Sequence, residues 1–175
     1  SLLATHPWVI EGIEVLVLNH GRYDRIDAKE LDLNHLRRTM STNFEGAFLV
    51  WDSVKNQLSS DARICVIGSQ LGTRGSSHGA DYSASKAALA TWARSLAQSL
   101  APEGKRVNIV APGFVDTDIL AGDSPEKRSS RKEEVPLKRI GTPEDIAGTV
   151  SFLVGNESNY ITGAVIHVNG GLYLP

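Results

Sequence analysis

Four short apolar runs constrain the fold most: Ile13 to Leu18, Ile64 to Ile67, Val107 to Ala111, and Ala164 to Val168. Each is nearly continuous rather than alternating, which is the pattern of strands buried on both faces, as in a parallel sheet covered by helices. Helical patterns lie between them. Leu33, Leu36, Met40, Phe44, Ala47, Trp51, Val54 and Leu58 recur every three or four residues and give one long helix an apolar face. The stretch Asp81 to Ala101 is rich in alanine and leucine and has no internal Gly or Pro. A further helix should open at Thr142, with Thr142 as N-cap, Pro143 at the first helical position and Glu144 and Asp145 in the first turn. Gly155 should close it. Strands alternating with helices predict parallel pairing through crossovers, hence an α/β, doubly wound parallel sheet. The segment Asp116 to Arg139 departs from this pattern. It is polar, charged and weakly periodic, and reads as a lid above the sheet.

Composition narrows the function classes. The 175 residues suit one domain, and a net charge of −2 gives no electrostatic case for nucleic acid or an anionic membrane. No apolar run approaches the ~20 residues that span a bilayer. The start, Ser1 to His6, lacks the features of a signal peptide, and the first dozen residues read like the interior of a longer sequence. The single cysteine, Cys65, sits in an apolar run and permits no internal disulfide, which fits a cytoplasmic setting. The histidines His6, His20, His35, His78 and His167 show no metal-ligand spacing. The loop Gly72 to Gly79 lies between a strand and a helix but lacks the Gly-Lys-Ser/Thr of a phosphate loop. A hydrolase built on Ser69 lacks Gly-x-Ser-x-Gly.

Tyr82 and Lys86 are spaced i, i+4 near the start of a helix, so they share one face. Ser69 follows the second strand directly, where open α/β sheets bind ligands, and lies thirteen residues before Tyr82. Asn43 falls inside the preceding helix, where asparagine is a poor choice on propensity alone. A free tyrosine, with a pKa of about 10, is only ~0.1% phenolate at pH 7. A nearby ammonium favours the phenolate, so Lys86 is expected to lower the Tyr82 pKa.

In order and approximate spacing, Asn43, Ser69, Tyr82 and Lys86 resemble the catalytic tetrad of the short-chain dehydrogenase/reductase family. Leu18-Asn19-His20-Gly21 sits where the family has Asn-Asn-Ala-Gly, with Leu18 and His20 as departures. Arg106 to Gly113 looks like the family's sixth strand and its Pro-Gly turn. Tyr160-Ile161-Thr162-Gly163 and His167 to Gly171 resemble the last strand and tail, with Asn169 in place of Asp. The resemblance runs from about Gly12 to Leu172, within the family's 3-oxoacyl-carrier-protein reductase-like branch.

The resemblance implies an NAD(P)-dependent oxidoreductase that interconverts a carbonyl and a secondary alcohol. Tyr82 would be the general acid/base, Ser69 would bond the carbonyl oxygen, Lys86 would bind the nicotinamide ribose, and Asn43 would hold a water that relays protons. Asn19, His20, Gly21, Tyr82, Lys86, Pro112, Gly113, Val115 and Thr117 would contact the cofactor, NAD or NADP. The substrate would be a small carbonyl or alcohol compound. By the same resemblance, 1–175 is a partial Rossmann-like domain, carrying the fourth to seventh strands and a lid at 116–139. The family's glycine-rich loop has no counterpart here. An inactive fragment or a non-catalytic association subunit is therefore the alternative, and Glu14 to Leu18 is expected to form an exposed, apolar sheet edge. Helices 33–58 and 81–101 are expected to pair subunits into a homodimer or homotetramer. Lys127, Arg128, Arg131 and Lys132, interspersed with Glu126, Glu133 and Glu134, read as a solvated lid face or a docking patch for an acidic carrier protein.

Overall fold

A computed structural model describes residues 12–175; what was read from Ser1 to His6 lies outside the described residues. Four parallel strands, β1 (Ile13–Leu18), β2 (Leu58–Ile67), β3 (Arg106–Pro112) and β4 (Val165–Val168), pair in the order 1-2-3-4. The doubly wound α/β expectation holds. Alternate residues of the central strands feed two separate cores. Ile64 and Val66 of β2, with Val107 and Ile109 of β3, pack with Trp51, Leu89 and Ala93 on one face. Cys65 and Val110 pack with Leu153, Ile146 and Val150 on the other. Burial on both faces is why these runs are nearly continuous, and Asn108 within β3 is itself buried, donating to the Ile161 carbonyl and accepting from the Ala164 N–H.

The first crossover differs from its prediction. The helix runs unbroken from Leu33 to Val54 but contains a π bulge, so that α1 (Leu33–Met40), a π turn (Ser41–Glu45) and α2 (Gly46–Val54) follow one another with helical junctions. Asp32 caps α1, its carboxylate accepting from the His35 N–H at 2.8 Å. Leu58, which continues the helical period, is instead the first residue of β2. It pairs with Ile13, and the register then slips between Ile13 and Val15. This irregularity lets the polar stretch Ser59 to Arg63 enter the strand ahead of the apolar run.

Two helices follow β2, the single turn α3 (Leu71–Arg74) and the long α4 (Ala80–Leu100). After β3, the predicted lid contains α5 (Pro125–Glu134), capped by Ser124. The last helix, α6 (Pro143–Val154), starts as predicted: the Asp145 carboxylate accepts from the Thr142 N–H at 2.7 Å, and Gly155 ends the helix.

On β1, Leu16 and Leu18 join the first core, and Leu18 is only 3% exposed. Val15 and Val17, on the opposite face, are 41% and 42% exposed. As expected for Glu14 to Leu18, β1 is an edge strand of the described sheet, paired only with β2; Glu14, Val15 and Val17 are exposed, while side chains of the π turn, α2 and α4 cover Leu16 and Leu18.

Arg106 ties the second core to the far end of α6. Its guanidinium donates to the carbonyls of Leu153 and Gly155 and to Ser158 Oγ, each at 3.0 Å, and to the Ile161 carbonyl at 3.4 Å. These include carbonyls that a helix end leaves without partners. Arg106→Leu is expected to strand several buried acceptors and destabilise the fold by about 3 kcal/mol. Thermal unfolding should then fall by roughly 6–12 °C; an unchanged midpoint would show that these bonds contribute nothing net.

Candidate active site

A cleft of about 280 Å³ opens at the carboxyl ends of β1, β2 and β3. Each contributes the turn that follows it: Asn19 and Gly21 after β1, Ser69 after β2, Gly113 after β3. The cleft lies where a parallel sheet exposes its strand ends to ligands. Tyr82 and Lys86 reach it from the first turns of α4, one turn apart on the same face. Ser69, Tyr82 and Lys86 are thus brought together as the spacing predicts. Pro112, Val115 and Thr117 also line the cleft.

Asn43 stands behind this wall, fully buried. Its Oδ1 accepts from the Arg22 N–H at 2.6 Å, and its Nδ2 donates to the Arg22 carbonyl and to Ser85 Oγ, both at 2.9 Å. Ser85 Oγ in turn donates to the Tyr82 carbonyl at 2.7 Å. Both amide protons are therefore used, and the side chain clips the loop after β1 to the helix that carries Tyr82 and Lys86. The π turn makes this possible: the Gly46 N–H bonds the Ser41 carbonyl five residues back, placing Asn43 inward. The water-holding role that resemblance assigned to Asn43 does not fall to its side-chain donors.

Lys86 is buried, and its Nζ donates to the Ile67 carbonyl at 2.8 Å. Burial pushes its pKa down to about 8, so the ammonium form still dominates at neutral pH. An ammonium has three protons to give, which leaves donors at the cleft wall for a vicinal hydroxyl pair. Gly21 keeps that wall open, since a Cβ there would lie 3.2 Å from Lys86 Nζ. These features fit a ribose against Lys86, with Asn19, Gly113, Val115 and Thr117 along the same cleft.

Tyr82 departs from expectation. Burial raises its pKa above the ordinary tyrosine value; a hydrogen bond with Ser69 works in the opposite direction, and Tyr23 adds to the rise. Lys86 Nζ lies 5.8 Å from the Tyr82 ring centroid and spends one bond on Ile67, so burial prevails over its field. The raised pKa keeps Tyr82 a neutral phenol at neutral pH.

His20 is not in the cleft lining. Its Nε2 sits 2.9 Å from where a Cβ on Gly46 would be, against the π turn. Burial, followed by the Lys86 charge, lowers its pKa and favours the neutral ring.

The lid face is also corrected in one respect. Arg131 is 7% exposed, not solvated: it pairs with Asp123 and lies over the Phe114 ring, 4.3 Å from the centroid. Asp123 receives Arg25 Nη1 as well, at 2.9 Å, joining the segment after β1 to the lid. Tyr23, in that segment, lines the cleft too. Neither Tyr23 nor the Asp123 hub carries a sequence signal, because each depends on residues about 50 to 100 positions away. Among the described residues, no cluster could hold a metal ion, and no helix is long and apolar enough to cross a membrane.

Comparison with known proteins agrees with this architecture. Residues 4–173 match the family model described as enoyl-(acyl carrier protein) reductase. The 3-oxoacyl-[acyl-carrier-protein] reductase FabG of Aquifex aeolicus is 39% identical over 168 residues, 94% of this chain and 67% of its own length. The Escherichia coli protein of the same name is 39% identical over 137 residues, 77% of this chain and 56% of its own length. A crystal structure of a Brucella melitensis short-chain dehydrogenase/reductase, titled glucose/ribitol dehydrogenase, superposes with a TM-score of 0.89 at 33% identity, covering 94% of this chain and 66% of that one. The chain therefore spans 56% to 67% of the length of these relatives. From the family match and this shared fold, the chain belongs to the short-chain dehydrogenase/reductase family.

Proposed function

We propose that this chain supplies the carbonyl-reducing half of an NAD(P)-dependent oxidoreductase, acting on a 3-oxoacyl thioester or a compound of similar shape. The observation that carries the reading is the convergence of Ser69, Tyr82 and a buried, cationic Lys86 in one cleft at the strand ends. A bound nicotinamide supplies hydride to the carbonyl carbon. Tyr82, neutral at pH 7, donates its phenolic proton to the carbonyl oxygen. Ser69 Oγ, which already bonds the Leu71 N–H at 3.1 Å, donates to the same oxygen as charge develops there. Lys86 holds the ribose hydroxyls and, as a cation, stabilises the phenolate that Tyr82 leaves behind. Asn43 holds these elements in register through Arg22 and Ser85. Relatives named 3-oxoacyl-[acyl-carrier-protein] reductase support the substrate class, and either NAD or NADP fits the residues described.

The same reading includes assembly. Leu33, Phe48 and Leu49 expose apolar surface along α1 and α2, and we assign them to a two-fold interface between subunits. Light scattering should report a dimer or tetramer at micromolar concentration, and a monomer would remove this part of the proposal. The activity itself is tested in the longest form the gene encodes, by oxidation of NADPH or NADH in the presence of an acetoacetyl thioester. Carbonyl-dependent oxidation is expected; oxidation with an enoyl thioester alone, or with neither, would contradict it.

A further inference from the structure

Tyr23 is an aromatic wall beside the proposed proton donor. Its ring centroid lies 4.8 Å from that of Tyr82, tilted by 48°. Its hydroxyl donates to the His78 carbonyl at 2.5 Å. Gly79 provides the space: its φ is +139°, and a Cβ there would fall 2.4 Å from Tyr23 Cε2. A side chain at 79 would thus be strained by backbone conformation and would collide with the ring.

The segment that carries Tyr23 is pinned on two sides. On the His78 side, the Ala28 N–H donates to the Ser77 carbonyl at 2.8 Å, and Asp27 pairs with His78 in an isolated antiparallel bridge. On the lid side, Arg25 pairs with Asp123. The Tyr23 ring is therefore held in place rather than left to swing aside. It lines the same cleft as Ser69 and Tyr82, with Leu71, Phe114 and Ile119 among the other walls.

We propose that Tyr23 is a specificity-determining residue of this carbonyl site, restricting one of the two groups on the carbonyl carbon to a small substituent. The inference rests on the carbonyl-reductase reading above. For Tyr82 to protonate the substrate oxygen, that oxygen must sit within hydrogen-bond reach of the phenol. The carbon's two substituents then straddle the cleft, and the one beside Tyr82 meets the Tyr23 ring. A methyl group fits against that wall, whereas a phenyl or branched group must displace it. Displacement would break the bond to His78 and the ring contact with Tyr82. Such steric discrimination in an apolar pocket is worth about 10- to 200-fold for even one methylene.

The test compares ethyl acetoacetate with ethyl benzoylacetate, which differ in carrying methyl or phenyl on the ketone carbon. Both are assayed with NADPH and with NADH, using parent, Tyr23→Ala and Tyr23→Phe. The parent should prefer the methyl ketone. Tyr23→Ala should raise the kcat/KM ratio of phenyl to methyl ketone at least about tenfold. Tyr23→Phe, which keeps the ring and loses the tether, should stay much nearer the parent ratio. If Tyr23→Ala does not fold, Tyr23→Leu removes the flat ring while retaining bulk and should raise the ratio in the same direction. A fall in both substrates by one common factor would mean that Tyr23 only supports Tyr82, and the specificity role would be wrong while the reductase reading stands. A parent protein inactive on both ketones and on the acetoacetyl thioester would overturn the reductase reading, and the Tyr23 role with it.

Discussion

Tyr82→Phe is expected to cut turnover in carbonyl reduction at least about a hundredfold, the usual range for removing a general acid. The substitution deletes the proton donor and leaves the ring. Packing against Tyr23 is retained, as is the backbone bond from Ser85 Oγ to the Tyr82 carbonyl. Cofactor affinity should change little, because Lys86 and the turns after the strands are untouched. Steady-state kinetics together with cofactor titration by fluorescence check both halves. Near-normal turnover in Tyr82→Phe would mean that the proton comes from elsewhere.

Lys86→Met is expected to be as damaging to activity and nearly silent in stability. The ammonium is buried, and burial has lowered its pKa to about 8, so the fold gains little from its charge. Methionine fills much of the same volume, and the main loss is the bond to the Ile67 carbonyl. Turnover should fall at least about a hundredfold and cofactor affinity should weaken. Thermal unfolding should stay within about 4 °C of the parent, the shift produced by ~1 kcal/mol at this size. A large drop in unfolding temperature would mark Lys86 as a structural residue. The parent's pH profile has a sign that follows from the same site. Reduction needs the protonated forms of both Tyr82 and Lys86. The Tyr82 pKa is raised and that of Lys86 is about 8, so Lys86 titrates first. In the parent, kcat/KM for reduction should fall as pH rises through about 8, and in Lys86→Met that limb should be absent.

The parts of the fold legible in the sequence are those set by local physics. The apolar runs of β2 and β3 are continuous because both faces are covered, and continuity survives in a one-dimensional reading. Thr142, Pro143 and Asp145 announce α6 because capping is a local event. The relation between Tyr82 and Lys86 follows from helical spacing alone. Other features depend on distant partners. The π turn at Ser41–Glu45 lies inside a regular apolar period, where Asn43 is turned inward to meet Arg22 and Ser85. Leu58 fits the helical period but is taken by pairing with Ile13. Arg131 looks solvated in a charged stretch, yet Asp123 and Phe114 bury it. The burial of Tyr82, which raises its pKa, is set by the surrounding fold and is not legible from its spacing to Lys86.

Isotope transfer tests the central claim most directly. The protein, in the longest form its gene encodes, is supplied with NADPH or NADH deuterated at the nicotinamide C4 position on either face, together with the preferred 3-oxo substrate. The 3-hydroxy product is then examined by mass spectrometry and NMR. The account predicts that, for one face of the labelled cofactor, deuterium appears on the carbinol carbon, and that the signal is lost in Tyr82→Phe. Product without deuterium from either face, or labelled product formed equally fast by Tyr82→Phe, would contradict it.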